Sequence, residues 1–264
     1  MYENTTTKGK RYYLSILKKE KHHIDNMKQS EKVIKFVSLG PGDPELITIK
    51  GLKALQEASF IYCPATMTPS GTKSSHSSVT LQALGIDSDK IKTFTLPMSK
   101  NRDAAIKVYQ DLADDIEKCY KNDMQIAVAA EGDAGFYASI QYLYELLKEK
   151  GLQVTRIAGV PAFIAAGPVA GIHLVKQEER LLVVPGIISE EELTDKINSG
   201  YVVVIMKLPL CEEAVHKAIT QNPEAEFHYF ENISRENEFY TSDTDIIKDK
   251  KFPYFSLMII SKKQ

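Results

Sequence analysis

Two glycine-rich turns hold the residues best suited to chemistry. Gly40-Pro41-Gly42-Asp43-Pro44 follows the apolar run Val33–Leu39, and Glu131-Gly132-Asp133-Ala134-Gly135 follows Gln125–Ala130. In each, a strand stops at glycines and hands over to a helix. Open α/β sheets collect ligands at such places, because a backbone without Cβ atoms lets a small molecule come close. Asp43 and Glu131 stand in these turns, and Tyr137 directly follows the second. Asp43, directly before Pro44, also has a plain structural use as a helix N-cap, which the sequence favours over direct catalysis.

Other machinery is missing from the pattern. Gly40-Pro41-Gly42 opens a G-x-G-x-x-G fingerprint, but Glu45 takes its third glycine position and Pro41 removes an amide, which argues against a dinucleotide site. No G-x-x-x-x-G-K-[ST] is present, which excludes a P-loop. His22, His23, His76, His173, His216 and His228 are scattered without zinc-site spacing, so no metal site is expected. Each reads as a surface or structural residue, with His76, in a Ser-rich stretch, the one best placed to touch a ligand. Cys63, Cys119 and Cys211 form no CxxC pair, as reduced thiols in a cytosol would not. No Ser or Cys sits in a nucleophile elbow. The residues point to glycine-lined ligand pockets rather than to a triad or a metal.

The elements that must position these turns alternate. Strands are read at Val33–Leu39, Phe60–Pro64, Gln125–Ala130, Gln153–Ile157, Arg180–Val184, Tyr201–Met206, Glu226–Asn232 and Phe255–Ile260. Helices are read from Asp43, with Leu46, Ile49, Leu52 and Leu55 at helical spacing, and at Asp103–Cys119, Phe136–Lys150, Ala162–Ala170, Glu190–Ile197 and Glu212–Gln221. Thr66–Ser78, rich in Ser, Thr, Gly and Pro, reads as a long surface loop. The class is α/β. Gly151, a helix C-cap, is the candidate boundary between two lobes, 33–150 and 151–264.

The chain has 264 residues, 43% hydrophobic and 26% charged, enough for one large domain or two small ones. Its longest apolar runs, such as Tyr201–Met206, are too short to span a bilayer, so a soluble protein with no membrane partner is expected. A formal net charge of -2 gives no basic excess to attract nucleic acid. The charge is uneven: residues 1–32 carry seven Lys and one Arg against four acidic residues, while the remainder is acidic. That head reads as a disordered or extended tail, with Met27 as an alternative start. It lacks a secretory pattern, which gives a cytoplasmic expectation. The sequons at Asn4 and Asn232 carry no meaning there.

The motifs also resemble those of a known family. Val37-Ser38-Leu39-Gly40-Pro41-Gly42-Asp43-Pro44-Glu45-Leu46-Ile47-Thr48 is similar to the opening signature of the tetrapyrrole methylases. Glu131–Tyr137 resembles their central G-D-P loop and Arg156–Phe163 their following segment. Val204-Ile205-Met206 and Glu231-Asn232-Ile233 fall where later cofactor contacts do. Leu96–Asp103, Ala130–Asp133 and Gly171–Gly186 resemble the branch that methylates C20 of precorrin-2 or cobalt-factor II. The chain departs from the pattern at Ala134, Ala158, Pro161 and His173, where proline, proline, Ser or Thr, and proline are usual.

The resemblance implies two α/β lobes with a cofactor and substrate cleft between them, a class III methyltransferase fold. It implies a homodimer that carries a methyl group from S-adenosylmethionine to a tetrapyrrole carbon in cobalamin biosynthesis, leaving S-adenosylhomocysteine. By carry-over, Pro41, Glu131, Gly132, Asp133, Phe136, Pro161, Ala162, Met206 and Ile233 surround the cofactor. Asp43 and the Thr66–Ser78 stretch face the macrocycle, with Lys73, Lys100 and Arg102 available to its carboxylates. Asp43, Glu131, Tyr137 or water takes the proton released at the methylated carbon. A sulfonium methyl and an electron-rich ring carbon already match, so alignment and water exclusion suffice, and alignment alone is worth roughly 7–11 kcal/mol. Two alternatives stand beside this reading: a sister methylase acting on another corrinoid carbon or on uroporphyrinogen III, and a non-catalytic tetrapyrrole-binding protein.

Overall fold

A computed structural model describes residues 32–67, 72–96 and 102–262, apart from the side chains of 102 and 103. The tail at 1–31, Met27, His22, His23, Lys100, the side chain of Arg102 and most of the Leu96–Asp103 segment lie outside the described residues.

The first half runs β1 (Ile34–Ser38), α1 (Ile49–Glu57), β2 (Phe60–Met67), β3 (Lys73–Ser74), α2 (His76–Ala83), β4 (Ile91–Thr95), α3 (Arg102–Lys121), β5 (Ile126–Ala130), α4 (Gln141–Glu149) and β6 (Val154–Ile157). Five of its strands form a parallel sheet in the order β4-β2-β5-β1-β6, and β3 folds back antiparallel on the end of β2. All five residues of β5 are buried, as a central parallel strand covered on both faces requires. The period-2 alternation of side chains divides the core. Ile34 and Phe36 of β1 pack with α3 and α4, while Val37 and Leu39 pack with α1 and α2. Neighbouring β1 and β5 therefore send their outgoing helices to opposite faces. This arrangement opens a crevice at their carboxyl ends.

The second half runs α5 (Ala162–Ala170), β7 (Arg180–Val184), α6 (Glu190–Asn198), β8 (Tyr201–Met206), α7 (Glu212–Gln221), β9 (Ala225–Glu231), β10 (Phe239–Thr241), α8 (Thr244–Lys248) and β11 (Ser256–Lys262). Its sheet has the order β10-β9-β11-β8-β7, with only β7 and β8 parallel. Leu193 and Ile197 of α6 and Val215 and Ile219 of α7 cover one face, and Phe163 and Ala166 of α5 cover the other.

Several expectations change. The boundary expected at Gly151 falls one strand early: β6 pairs with β1, and the chain leaves the first sheet only after Ile157, because an open edge of β1 is there to be paired. Asp43 caps a single 3-10 turn, Pro44–Leu46, and Thr48 caps α1, so Ile49 is exposed rather than packed. Thr66–Ser78 is not one long loop, since β2 runs to Met67 and Ser75 caps α2. Phe136–Ile140 is a turn ahead of α4. Ile106 of α3 is exposed.

Candidate active site

The glycine turns meet where β1 and β5 end. Gly40 and Gly132 pair with each other, Gly40 N donating to Gly132 O at 3.1 Å and Gly132 N to Gly40 O at 2.7 Å. Both lie at positive φ, +83° and +67°, which their lack of Cβ permits. The neighbouring end of β6 is tied in by two side chains. Ser38 Oγ donates to Ile157 O at 2.6 Å and accepts from Ala134 N at 2.8 Å. Asp133 accepts from Gly135 N at Oδ1 (2.8 Å) and from Gly159 N at Oδ2 (2.7 Å). Both Asp133 oxygens thus hold the turn together. Ala134, standing where proline is usual, supplies the amide that Ser38 uses, so this departure adds a bond.

A cleft of about 690 Å³ lies over these strand ends. From the first sheet it is lined by Leu39, Gly40, Gly42, Asp43, Pro44, His76, Val79, Thr80 and Glu131, and from the turn after β9 by Asn232, Ser234, Arg235, Glu236, Asn237 and Glu238. Arg235 Nη2 sits 2.7 Å from Glu131 Oε2, and the Ser77 hydroxyl donates to Glu131 Oε1 at 3.4 Å. The guanidinium lies 4.1 Å from the centroid of the Phe255 ring, a cation–π contact. Asn232 and Ser234 carry φ of +51° and +62°, a conformation that non-glycine residues keep only where their surroundings enforce it. The surroundings here are Asn232 N to Phe255 O, Arg235 N to Asn232 O, and Ser234 N to Glu238 Oε2. Gly42 completes the fit, because a Cβ there would stand 2.7 Å from Arg235 Cγ and 2.8 Å from Ser234 O.

An apolar wall adjoins. Phe136, Ala162 and Met206 are half-buried and pack with Ile233 and Phe163 in one cluster. Phe136 and Phe163 rings are 5.6 Å apart. Pro161 is the N-cap of α5 and makes no side-chain cap bond; Ile164 N donates to Pro161 O at 3.0 Å, which leaves the amides of Ala162 and Phe163 for an acceptor from outside the helix.

Of the residues singled out, Asp43 and Glu131 line the cleft, and Phe136, Ala162, Met206 and Ile233 come together in the wall. Gly132, Asp133 and Pro161 frame the strand ends, and Pro41 is buried in its own turn. Tyr137 is not among the cleft-lining residues: its φ is +49°, its hydroxyl donates to Val183 O of β7 at 3.3 Å, and its ring stands edge-on to Phe136 of the wall at 4.7 Å. Asp43 Oδ1 accepts from Glu45 N at 2.8 Å, while its second oxygen has no partner among the described residues. Lys73 donates to Thr93 O at 2.8 Å. Burial pushes the Cys63 thiol up to about 11, which keeps it un-ionised. Arg235 and Phe255 were not legible as site residues. The one signal for Arg235 was a polar, turn-forming run, Asn232–Asn237, after a strand, and Phe255 had none.

Among the described residues no helix is long and apolar enough to cross a membrane, and no group of three or more His, Cys, Asp or Glu could hold a metal ion.

Known proteins resemble this chain in sequence or in fold. A "Probable cobalt-precorrin-2 C(20)-methyltransferase" of Methanocaldococcus jannaschii is 27% identical over 183 residues, 69% of this chain and 74% of that one. A precorrin-2 C(20)-methyltransferase of a Sinorhizobium species is 28% identical over 233 residues, 85% of this chain and 93% of the other. The uroporphyrin-III C-methyl transferase of Thermus thermophilus, solved in complex with S-adenyl homocysteine, superposes with a TM-score of 0.57 at 16% identity, over 87% of this chain and 97% of that one, a likeness of fold. The family model of the Tetrapyrrole (Corrin/Porphyrin) Methylases matches residues 33–244, which takes in the first sheet, all of the second but β11, and every cleft-lining residue named above, and the chain is a methyltransferase belonging to that family.

Proposed function

We propose that this methyltransferase carries the methyl group of S-adenosylmethionine to C20 of a precorrin-2-type tetrapyrrole, metal-free or cobalt-bearing, in cobalamin biosynthesis. The observation that carries the reading is the pair of relatives named for that carbon, one of which matches along 85% of this chain.

The residues present fit the methyl donor. The apolar wall of Phe136, Ala162, Met206 and Ile233 offers a surface for a flat adenine, and the uncapped first turn of α5 offers amide donors to a carboxylate. S-adenosylmethionine, when bound, supplies an electrophilic sulfonium methyl. The chain's own task is to align donor and ring carbon and to exclude water. Ser38 and Asp133 serve that alignment by tying the ends of β1, β5 and β6 into one rigid floor. Transfer would form the C–CH3 bond at C20 as the S–CH3 bond breaks, with S-adenosylhomocysteine, a neutral sulfide, as the other product. The C20 proton must then depart. We assign its acceptance to Asp43, which lines the cleft with one oxygen unengaged, rather than to Glu131, held by Arg235 and Ser77, or to Tyr137, held on β7.

Incubation with S-adenosylmethionine and either precorrin-2 or cobalt-factor II, followed by NMR of the product, tests the reading. One new methyl at C20 is expected. A methyl on another ring carbon would assign the chain to a sister activity, and no binding of S-adenosylhomocysteine by calorimetry would favour a non-catalytic binder. A homodimer and a cytoplasmic location belong to the same reading; sedimentation tests the first, and the free, buried Cys63, Cys119 and Cys211 suit a reducing compartment.

A further inference from the structure

The cleft is lined by acidic side chains on one hand and by exposed apolar ones on the other. Asp43, Glu131, Glu236 and Glu238 line it against Arg235, the one Lys or Arg of that lining among the described residues, which is already committed to Glu131. A polycarboxylate gains little there, because its acid groups meet acid groups. At the mouth, Val79 is 66% exposed and Phe255 39% exposed, and the His76 ring stands edge-on to Phe255 at 5.3 Å. His76 and Val79 come from α2 beside the first sheet, whereas Phe255 precedes β11 of the second. Phe255 is fixed rather than loose, since the Arg235 guanidinium packs on its ring and its carbonyl accepts from Asn232 N. Exposed apolar side chains grouped beside a polar cleft mark a ligand surface.

We propose that Val79, His76 and Phe255 form the platform on which the face of the tetrapyrrole macrocycle rests, and that they set tetrapyrrole affinity through apolar and aromatic contact while its carboxylates point out of the cleft. The inference rests on the function proposed above. It commits to the macrocycle because this surface is continuous with the cleft over the strand ends, and because a flat conjugated ring fits an aromatic edge and a branched aliphatic side chain. The acid groups of the lining then orient the ring, as they disfavour any pose that buries a peripheral carboxylate against them.

The test compares wild type with Phe255→Ala, Phe255→Leu and Val79→Asp. Two quantities are read: KM for the tetrapyrrole in methyl transfer, and Kd for S-adenosylhomocysteine by calorimetry. Phe255→Ala and Val79→Asp are expected to raise KM about tenfold with Kd for S-adenosylhomocysteine within about twofold of wild type, and Phe255→Leu to recover most of the loss. Val79 is on the surface, so Val79→Asp reports even if Phe255→Ala folds poorly. KM unchanged in Val79→Asp, or a parallel loss of S-adenosylhomocysteine affinity, overturns the platform while leaving the methyl-transfer reading intact. A wild-type protein that methylates neither precorrin-2 nor cobalt-factor II overturns that reading and the platform with it.

Discussion

Gly159→Ala puts the site's floor to the strongest test. Gly159 follows β6 and faces Ser38, which is fully buried at the end of β1. A Cβ at position 159 would stand 2.3 Å from Ser38 Cβ and 3.1 Å from Gly132 O. The first is far below any carbon–carbon contact, and neither neighbour is a flexible side-chain tip. Ser38 cannot turn away cheaply, because its hydroxyl joins Ile157 O to Ala134 N. The added methyl must therefore push the 157–160 segment outward and stretch the 2.7 Å bond from Gly159 N to Asp133. Overpacking of a buried site costs about 1–3 kcal/mol, and loss of a hydrogen bond to a carboxylate about 1.5–3 more, together about 2.5–6 kcal/mol. For a chain of this length that lowers Tm by about 5–24 °C. Thermal unfolding by circular dichroism reads the loss, and calorimetry with S-adenosylhomocysteine reads the floor, whose donor affinity is expected to fall in parallel. Ser38→Gly in the same background removes the opposing Cβ, so the double variant should be less destabilised than the sum of the two by at least about 1 kcal/mol. A Gly159→Ala protein within about 3 °C of wild type, or strict additivity with Ser38→Gly, would refute the claim that these three strand ends are locked by close contact.

Other outcomes follow from the same geometry. Asp43→Asn is expected to lower kcat by about a hundredfold or more while leaving S-adenosylhomocysteine affinity near wild type, and a kcat within about threefold would remove Asp43 as proton acceptor. Tyr137→Phe deletes only the bond to Val183 O, on a half-exposed ring, so kcat should stay within about twofold and stability within about 1 kcal/mol; a loss of several orders in kcat would return Tyr137 to the chemistry. Glu131→Gln and Arg235→Ala should show a coupling of about 1–3 kcal/mol in a double-mutant cycle of chemical denaturation, and additive effects would deny the pair a role in joining the two sheets. Burial raises the Cys63 and Cys211 thiols from about 9 to about 11, so the folded state holds more protons than the unfolded chain above pH 9, and stability falls as pH rises from about 9 toward 11. Replacing both with Ala should flatten that slope, and native protein at pH 8 should resist alkylation at both; rapid labelling measured by mass spectrometry would contradict their burial.

The extent to which the site could be read in advance depends on distance along the chain. β7, β8 and α7 start and end where their apolar patterns do, because each pattern is a local record of one buried face. The Gly40–Pro44 and Glu131–Gly135 turns were legible for the same reason, as Gly, Pro and Asp act on their own backbone. Local rules were less reliable at boundaries: Asp43 caps, but it caps a 3-10 turn, and Gly151 ends a helix without ending the lobe.

By itself the sequence determined the α/β class, the two strand-to-helix turns and the family they belong to, since all three reside in short runs of residue types. Only the tertiary structure decided which side chains share the cleft. Arg235 reaches Glu131 across 104 positions, and Asp133 reaches Gly159 across 26. Tyr137, two residues past Gly135, is turned by its positive φ toward β7 instead. Those pairings depend on how two sheets pack through apolar surface, and packing is a non-directional, whole-chain quantity that no short stretch of residues encodes.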